Sequence, residues 1–359
     1  MFTSRGDFIK EIGKEKGWLP CHYILSMAQR TLLSIGDFID LSYKIRQKGL
    51  GVVRGLFNFS SQGRTASKWN EHIVSADFWI IPEVRQRWNE DCTGNKDLGY
   101  EDYVMARHLK DRKGIRMLSV GCGTGARERI WGKYAQFERI DGIDVAAEQI
   151  ARAKEDADLI GMKHLHYFAA DFTKHHFDHA PYDVILFNAS LHHFEHIDGL
   201  LSQHVIHQLA PGGLVVVFEY IGPNRLQWTD AQLAFANEVL LAIPRKYRVR
   251  FQSNAVKNKI YRPGLWRVKL IDPSESVDSE DLLPSLHRHF EIVEEHSVRF
   301  NIAHLVLKDI AHHFLEEDDE AKQWLQYVFD KEDEFCNRMN SRDVIFGVYQ
   351  ARSNLNNEA

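Results

Sequence analysis

The chain has 359 residues, 44% of them hydrophobic and 26% charged, with 45 Lys+Arg against 50 Asp+Glu and a formal net charge of −5. This is the composition of a globular protein able to bury a large core, and it excludes a low-complexity or disordered chain. With no apolar run near the roughly 18–20 residues of a membrane span, a charged start (Arg5, Asp7, Lys10) and no C-x-x-C pair among Cys21, Cys92, Cys122 and Cys336, a cytoplasmic protein with free thiols and no structural zinc site is expected.

Residues 1–70 are basic, at +6, so the remainder carries −11. Within them, Ile24, Ala28, Leu32, Ile35, Ile39 and Leu41 recur at helical spacing over residues 20–46, followed by Lys44, Arg46, Lys48 and Arg54. Two readings stand: the stripe packs on the main domain or a second subunit, or residues 20–56 lie on an anionic membrane surface. Ser60-Ser61-Gln62-Gly63 reads as a linker, which makes residues 1–75 an N-terminal extension. A helix is predicted over Asp77–Asn89, with Pro82 in its first turn or interrupting it.

Strands and helices alternate from residue 116 onward, the pattern of a doubly wound α/β sheet. Met117–Val120 is a short buried strand running into Gly121-Cys122-Gly123-Thr124-Gly125 and then a helix from Ala126. Three glycines at alternate positions permit a tight turn and let a ligand approach main-chain atoms that a Cβ would block. The segment parses as G-x-G-x-G or, with Ala126, as the dinucleotide fingerprint G-x-G-x-x-A. A second strand, Arg139–Asp144, ends on Asp144, 19 residues after Gly125, at the offset where a carboxylate reaches ribose hydroxyls. The plain alternative for Asp144 is a cap on the next helix. The third strand, His166–Ala170, ends at Asp171-Phe172, and the fourth, Tyr182–Phe187, leads into Asn188-Ala189-Ser190-Leu191-His192-His193. A helix over 197–209 and a Leu209-Ala210-Pro211-Gly212-Gly213 turn precede the fifth strand, Leu214–Tyr220.

These four signatures, in this order, resemble those of class I S-adenosylmethionine (SAM)-dependent methyltransferases over residues 76–352. Glu219–Trp228 (EYIGPNRLQW) and Asp272–Val277 (DPSESV) are similar to signatures of a bacterial branch whose acceptors are mostly undefined. The resemblance implies a seven-stranded Rossmann-like sheet, a cofactor half at about 95–220 and an acceptor-side insertion at about 221–288. It places the sixth strand near Phe290–Val298 and the seventh near Asp343–Ala351 beside the fifth, with helices at about 303–314 and 317–338 between them and a polar tail at 353–359. It implies SAM as cofactor, held by Gly121, Cys122, Gly123, Gly125, Asp144, Val145, Asp171, Phe172 and Asn188, with Asp171 accepting from the adenine amino group and Phe172 packing on its ring. Ser119 departs from the pattern, because many relatives carry an acidic residue there; Glu128 is the candidate substitute.

Methyl transfer to a hydroxyl needs a nucleophile in line with the sulfonium methyl and a route for its proton. His193 is the first candidate base and His192 the second, with Glu219 as an alternative base or acceptor ligand; helix capping or packing is the plain alternative for each histidine. His192–His196 also spells H-x-x-E-H, the inverted zinc-peptidase motif, but a strand-to-helix corner does not set these residues on one helical turn, so no metal is expected. Thr229-Asp230-Ala231-Gln232 has capping-box spacing and should open a helix through Ala242. Nine basic residues then fall between Arg245 and Lys269. They suggest an anionic acceptor, such as a sugar or sugar conjugate, held by Arg262 with Tyr220 and Arg225 assisting, while a solvated loop is the plain alternative. A nucleic-acid methyltransferase is the less favoured alternative, and no nucleic-acid partner is expected, since the chain is acidic and shows no usual nucleic-acid module. The competing function is a non-catalytic scaffold of the same fold.

Overall fold

Beside the glycine turn, Met117-Leu118 and Val184–Phe187 are apolar at consecutive rather than alternate positions, and both faces of the sheet they help to build are covered. The structure, a computed structural model, describes residues 31–39, 77–315 and 318–352. Seven strands, β1 (Ile115–Val120), β2 (Phe137–Asp144), β3 (Leu165–Ala169), β4 (Tyr182–Asn188), β5 (Leu209–Tyr220), β6 (Phe290–Val298) and β7 (Val344–Ala351), form one sheet in the order 3-2-1-4-5-7-6. β7 lies antiparallel between β5 and β6, and the five strands β1–β5 are mutually parallel. The pleat sorts side chains by parity: Met117, Val184, Leu186 and Val216 enter the core on one face, Leu118, Ile185, Phe187 and Val217 that on the other.

Eight helices are numbered below: α1 (Pro82–Thr93), α2 (Tyr100–Val104), α3 (Ala126–Trp131), α4 (Ala147–Leu159), α5 (Asp230–Ala242), α6 (Leu265–Ile271), α7 (Ser279–His289) and α8 (Asp319–Met339). Pro82 stands at the start of α1, where its missing N–H costs nothing, and Gly94 ends that helix at φ 75°. Thr229 Oγ1 caps α5 by accepting from Gln232 N–H at 3.1 Å. The capping box is half made: Gln232 Nε2 donates instead to Asn301 O (2.8 Å) and to Asp343 Oδ2 (3.1 Å), tying the acceptor-side insertion to the foot of β7. α5, residues 303–314 and α8 share a third apolar cluster built on Val239, Leu240, Val306, Leu325 and Val328.

Of the N-terminal extension only residues 31–39 lie among those described; the rest of the stripe, the linker and the 353–359 tail lie outside them. Of the stripe's described residues, Leu32 and Ile35 do not pack on the main domain. Ser34 and Asp37 are buried, whereas Leu32 and Ile35 of the stripe are 61% and 70% exposed. Docking is polar: Asp37 Oδ1 accepts from Gly264 N–H at 3.0 Å, and Thr31 O accepts from Leu265 N–H at 2.8 Å at the start of α6. Main-chain groups in the 264–266 stretch demand partners, and an aspartate and a carbonyl meet that demand where leucines cannot. Among the described residues no helix is long and apolar enough to cross a membrane.

Candidate active site

At the end of β1 the chain turns through Gly121, Gly123 and Gly125, all at positive φ. A Cβ on Gly121 would lie 2.5 Å from Ser190 Cβ, so this glycine lets the strand-four loop close on strand one, where Ser190 Oγ donates to Val120 O at 2.6 Å. Gly123 differs: nothing lies within 4 Å of the Cβ it lacks, and the corner is open on that side. Asp144, at the end of β2, accepts from Gly123 N–H (3.0 Å) and Ala146 N–H (2.8 Å), so it braces the turn and opens α4 at once. Burial raises its pKa above the ordinary carboxylate value, against those backbone donors. Val145 beside it is exposed at 39%.

Glu128, on α3, lies beside Ser119. Ser119 Oγ donates to Glu128 Oε1 at 2.5 Å, and Glu128 Oε2 is buried with no hydrogen-bond partner. Loss of water raises the Glu128 carboxyl to about 7. Cys122 is half-buried, and its thiol is driven well above its ordinary pKa by burial. Asn188 Oδ1 accepts from Tyr100 Oη at 2.7 Å; the Tyr100 ring stacks on Phe218 at 5.6 Å between centroids. Asp171 is half-buried, with Oδ1 accepting from Thr173 N–H and Oγ1–H (3.0 and 2.8 Å) and Oδ2 2.8 Å from Lys174 Nζ. Phe172 is 5% exposed and packs against Phe177 and Phe194.

The strand-four loop carries the densest polar geometry. Glu219 is fully buried at the end of β5; its Oε1 accepts from Ser190 N–H (2.6 Å) and Leu191 N–H (2.8 Å), and its Oε2 lies 2.7 Å from His192 Nδ1. A carboxylate engaged at both oxygens is an orienter, which revises the expectation of Glu219 as a base. His193 Nδ1 lies 3.1 Å from Ser274 Oγ, whose hydrogen goes to Asp272 Oδ1 at 2.6 Å. Both rings therefore donate from Nδ1 and carry the lone pair on Nε2. The Tyr220 ring stands edge-on to His192 at 6.1 Å.

The two segments singled out as branch signatures meet here. Arg225 sits at positive φ (58°) and donates from its guanidinium to Pro273 O and to Glu275 O (3.4 Å), while its N–H donates to Ser276 O at 2.6 Å. Asn224 Oδ1 accepts from Glu280 N–H at 2.9 Å at the start of α7. Arg225 thus holds residues 273–276 against the histidines rather than offering its charge outward. Asp272, Ser274 and Glu275 had no assigned role beforehand; their only signal was membership of an unexplained polar hexapeptide.

The anion-binding role expected for Arg262 gives way to a structural one. It is 8% exposed and donates to Trp228 O (2.7 Å), Thr31 Oγ1 (3.3 Å) and Asp230 Oδ1 (2.5 Å). Lys257 is buried and donates to the carbonyls of Leu305, Val306 and Lys308, the last turn of a short helix. Arg250 pairs with Asp309, and Lys246 with Glu320. The basic run ties its own loops down.

Residues 97–253 match the family described as a methyltransferase domain. The 3-2-1-4-5-7-6 order and the glycine corner accompany that match. Over this stretch the chain is similar to methyltransferase domains. Similar proteins include the sterol 24-C-methyltransferase of Clavispora lusitaniae, 24% identical over 161 residues (44% of this chain and 42% of that protein). The protein-L-isoaspartate O-methyltransferase of Pyrococcus abyssi is 25% identical over 114 residues, 32% of this chain and 49% of that one. The chain thus spans less than half the length of these relatives. Among solved structures, geranyl diphosphate C-methyltransferase from Streptomyces coelicolor is 12% identical, covering 82% of this chain and 99% of that chain at a TM-score of 0.46. A SAM-dependent methyltransferase from Mesorhizobium loti is 16% identical, covering 71% and 99% at a TM-score of 0.40.

SAM is the cofactor that methyltransferase domains of this kind use, and the residues present fit such a group: open space over Gly123, the Asp144 carboxylate at the end of β2, an exposed Val145 next to it and an unpartnered buried carboxylate oxygen on Glu128.

Proposed function

We propose that the protein transfers a methyl group from SAM to a hydroxyl of a small or glycan-type acceptor placed over the β4–β5 edge. The observation that carries this reading is the buried pair of Glu219 Oε2 and His192 Nδ1 at 2.7 Å, at the strand ends where ligands bind in open α/β sheets. SAM, when bound, supplies an electrophilic methyl on a sulfonium. The chain must align the acceptor oxygen and take its proton. His192 and His193 present Nε2 lone pairs for that proton, and Glu219 stabilises the His192 cation that results. Gly123 leaves room for the cofactor, and Glu128 Oε2 is the acceptor for its ammonium group.

A second reading, methyl transfer to carbon of an apolar acceptor, draws support from the aromatic side chains beyond His192: Tyr220 and Phe300 lie 6.2 Å apart, Trp88 and Phe218 5.8 Å. Calorimetry with SAM, followed by incubation with labelled SAM and fractionated cell extract, tests both. A labelled methyl ether is the expected product; a C-methyl product favours the second reading, and absence of SAM binding overturns the enzymatic proposal in favour of a scaffold.

A further inference from the structure

We infer that His192, His193 and Glu275 form a binding site for a divalent first-row transition cation, with Zn²⁺ the best chemical match. One donor atom from each of the three residues lies within 4.8 Å of the others, and His192 Nε2 is 3.9 Å from Glu275 Oε1. Two ligands about 2.05 Å from a tetrahedral zinc stand about 3.3 Å apart, so closure requires each side chain to move by about 1 Å or less. Glu275 lies in a loop, where such a shift costs little.

The surroundings have the form that metal sites take. A metal-bound imidazole donates its other N–H to a carboxylate or another acceptor, which fixes the tautomer and raises the basicity of the ligating nitrogen. Both rings do so here: His192 through Glu219 Oε2 at 2.7 Å, His193 through Ser274 Oγ at 3.1 Å, itself held by Asp272. Glu219 and Asp272 are 0% and 2% exposed, so the charge behind the rings is poorly screened. Two imidazoles and one carboxylate also make a ligand set used by catalytic zinc, with a fourth position left for water or an acceptor oxygen.

The site is not the H-x-x-E-H motif spelled by His192–His196. Glu195 and His196 are exposed, and His196 is placed by its N–H donating to Asp278 Oδ2 at 2.7 Å. The third ligand comes instead from residue 275, brought in by Arg225. Metal binding by these residues does not depend on the methyl-transfer reading; a role for the cation in fixing or acidifying the acceptor hydroxyl does, and His192 and His193 would then act on the proton through it.

The test is titration of the chelator-treated full chain with Co²⁺ and Zn²⁺ alone, read by cobalt visible absorption and by calorimetry, with SAM affinity measured separately. One equivalent should bind, giving the intense bands of four- or five-coordinate cobalt. Glu275→Gln and His193→Ala should each weaken binding at least tenfold, Ser274→Ala less, and His196→Ala not at all. If His193→Ala fails to fold, Glu275→Gln carries the result. SAM binding without cation binding overturns the metal site and leaves the methyltransferase reading standing. Cation binding without SAM binding supports the metal site while sinking that reading. Cation binding that survives Glu275→Gln but not His196→Ala overturns the ligand set.

Discussion

Glu219 and His192, 27 residues apart and on adjacent strand ends, are joined at 2.7 Å, and the same carboxylate clamps the amides of Ser190 and Leu191. One buried side chain therefore sets both the loop and the ring it presents. Glu219→Gln keeps an oxygen for the amides but places an N–H₂ against His192 Nδ1–H, which forces the other tautomer. Methyl transfer should fall by about 10²–10⁴-fold, by analogy with orienting carboxylates elsewhere. SAM affinity, measured by calorimetry, should stay within a few-fold; an unchanged single-turnover rate would remove His192 from the mechanism.

Under the proposed function, Glu128 takes the place of the acid absent at Ser119. Glu128→Gln removes the charge and should loosen SAM about tenfold, roughly the 1.4 kcal/mol of one charged hydrogen bond. Ser119→Ala should weaken SAM less, because it frees the carboxylate without deleting it. Equal affinity for wild type and Glu128→Gln would show that the ammonium group is held elsewhere.

Arg262 and Arg225 are braces. Arg262→Ala strips partners from Trp228 O and Asp230 and should cost about 1–3 kcal/mol of stability, seen in urea melts, without altering acceptor KM. Arg225→Ala releases residues 273–276 and should lower methyl transfer while sparing SAM binding. A loss of acceptor affinity confined to Arg262→Ala would restore the anionic-acceptor reading for that residue.

Buried acids and a buried histidine pull stability in opposite directions with pH. Burial raises Asp343 from 3.8 to about 7, so the folded chain keeps a proton that the unfolded chain releases. Its contribution is full below about pH 4, is lost as pH rises to about 7, and is on the order of 4 kcal/mol. His304, stacked on Phe300 at 4.3 Å, is lowered from 6.5 to about 3, so its contribution is full above about pH 6.5 and is lost as pH falls towards 3. Asp343→Asn should thus lose less stability than wild type between pH 5 and 8 in paired denaturant melts. Identical slopes for the two proteins would mean that Asp343 ionises at its ordinary pKa.

Much of the frame was legible because it follows from short-range rules. The family resemblance, rather than a local rule, placed β6, which spans the expected Phe290–Val298, and β7, which begins one residue after the expected Asp343. Pro82 and Thr229 start helices where local chemistry says they should. Asp144 was readable at a fixed distance from Gly125 because a β-α-β unit has nearly constant length.

Other placements were set by partners distant in sequence. Leu32 and Ile35 have helical spacing, but the face of that segment that meets the main domain is set by the amides of residues 264–266. Arg262 looked available in a basic run, yet its partners are a carbonyl and a carboxylate 34 and 32 residues away. Phe172 follows Asp171 at the expected place, and its ring packs against Phe177 and Phe194.

Periodicity, turn glycines and caps act over a few residues, so the sequence by itself determined the alternation of strands and helices, the open corner at Gly123 and the location of His192-His193 at a strand end. Only the tertiary structure decided what those histidines face. Ser274 and Glu275 reach them because Arg225 fastens a loop some 50 residues onward, and side-chain partnership across that distance is set by packing, which no local pattern encodes.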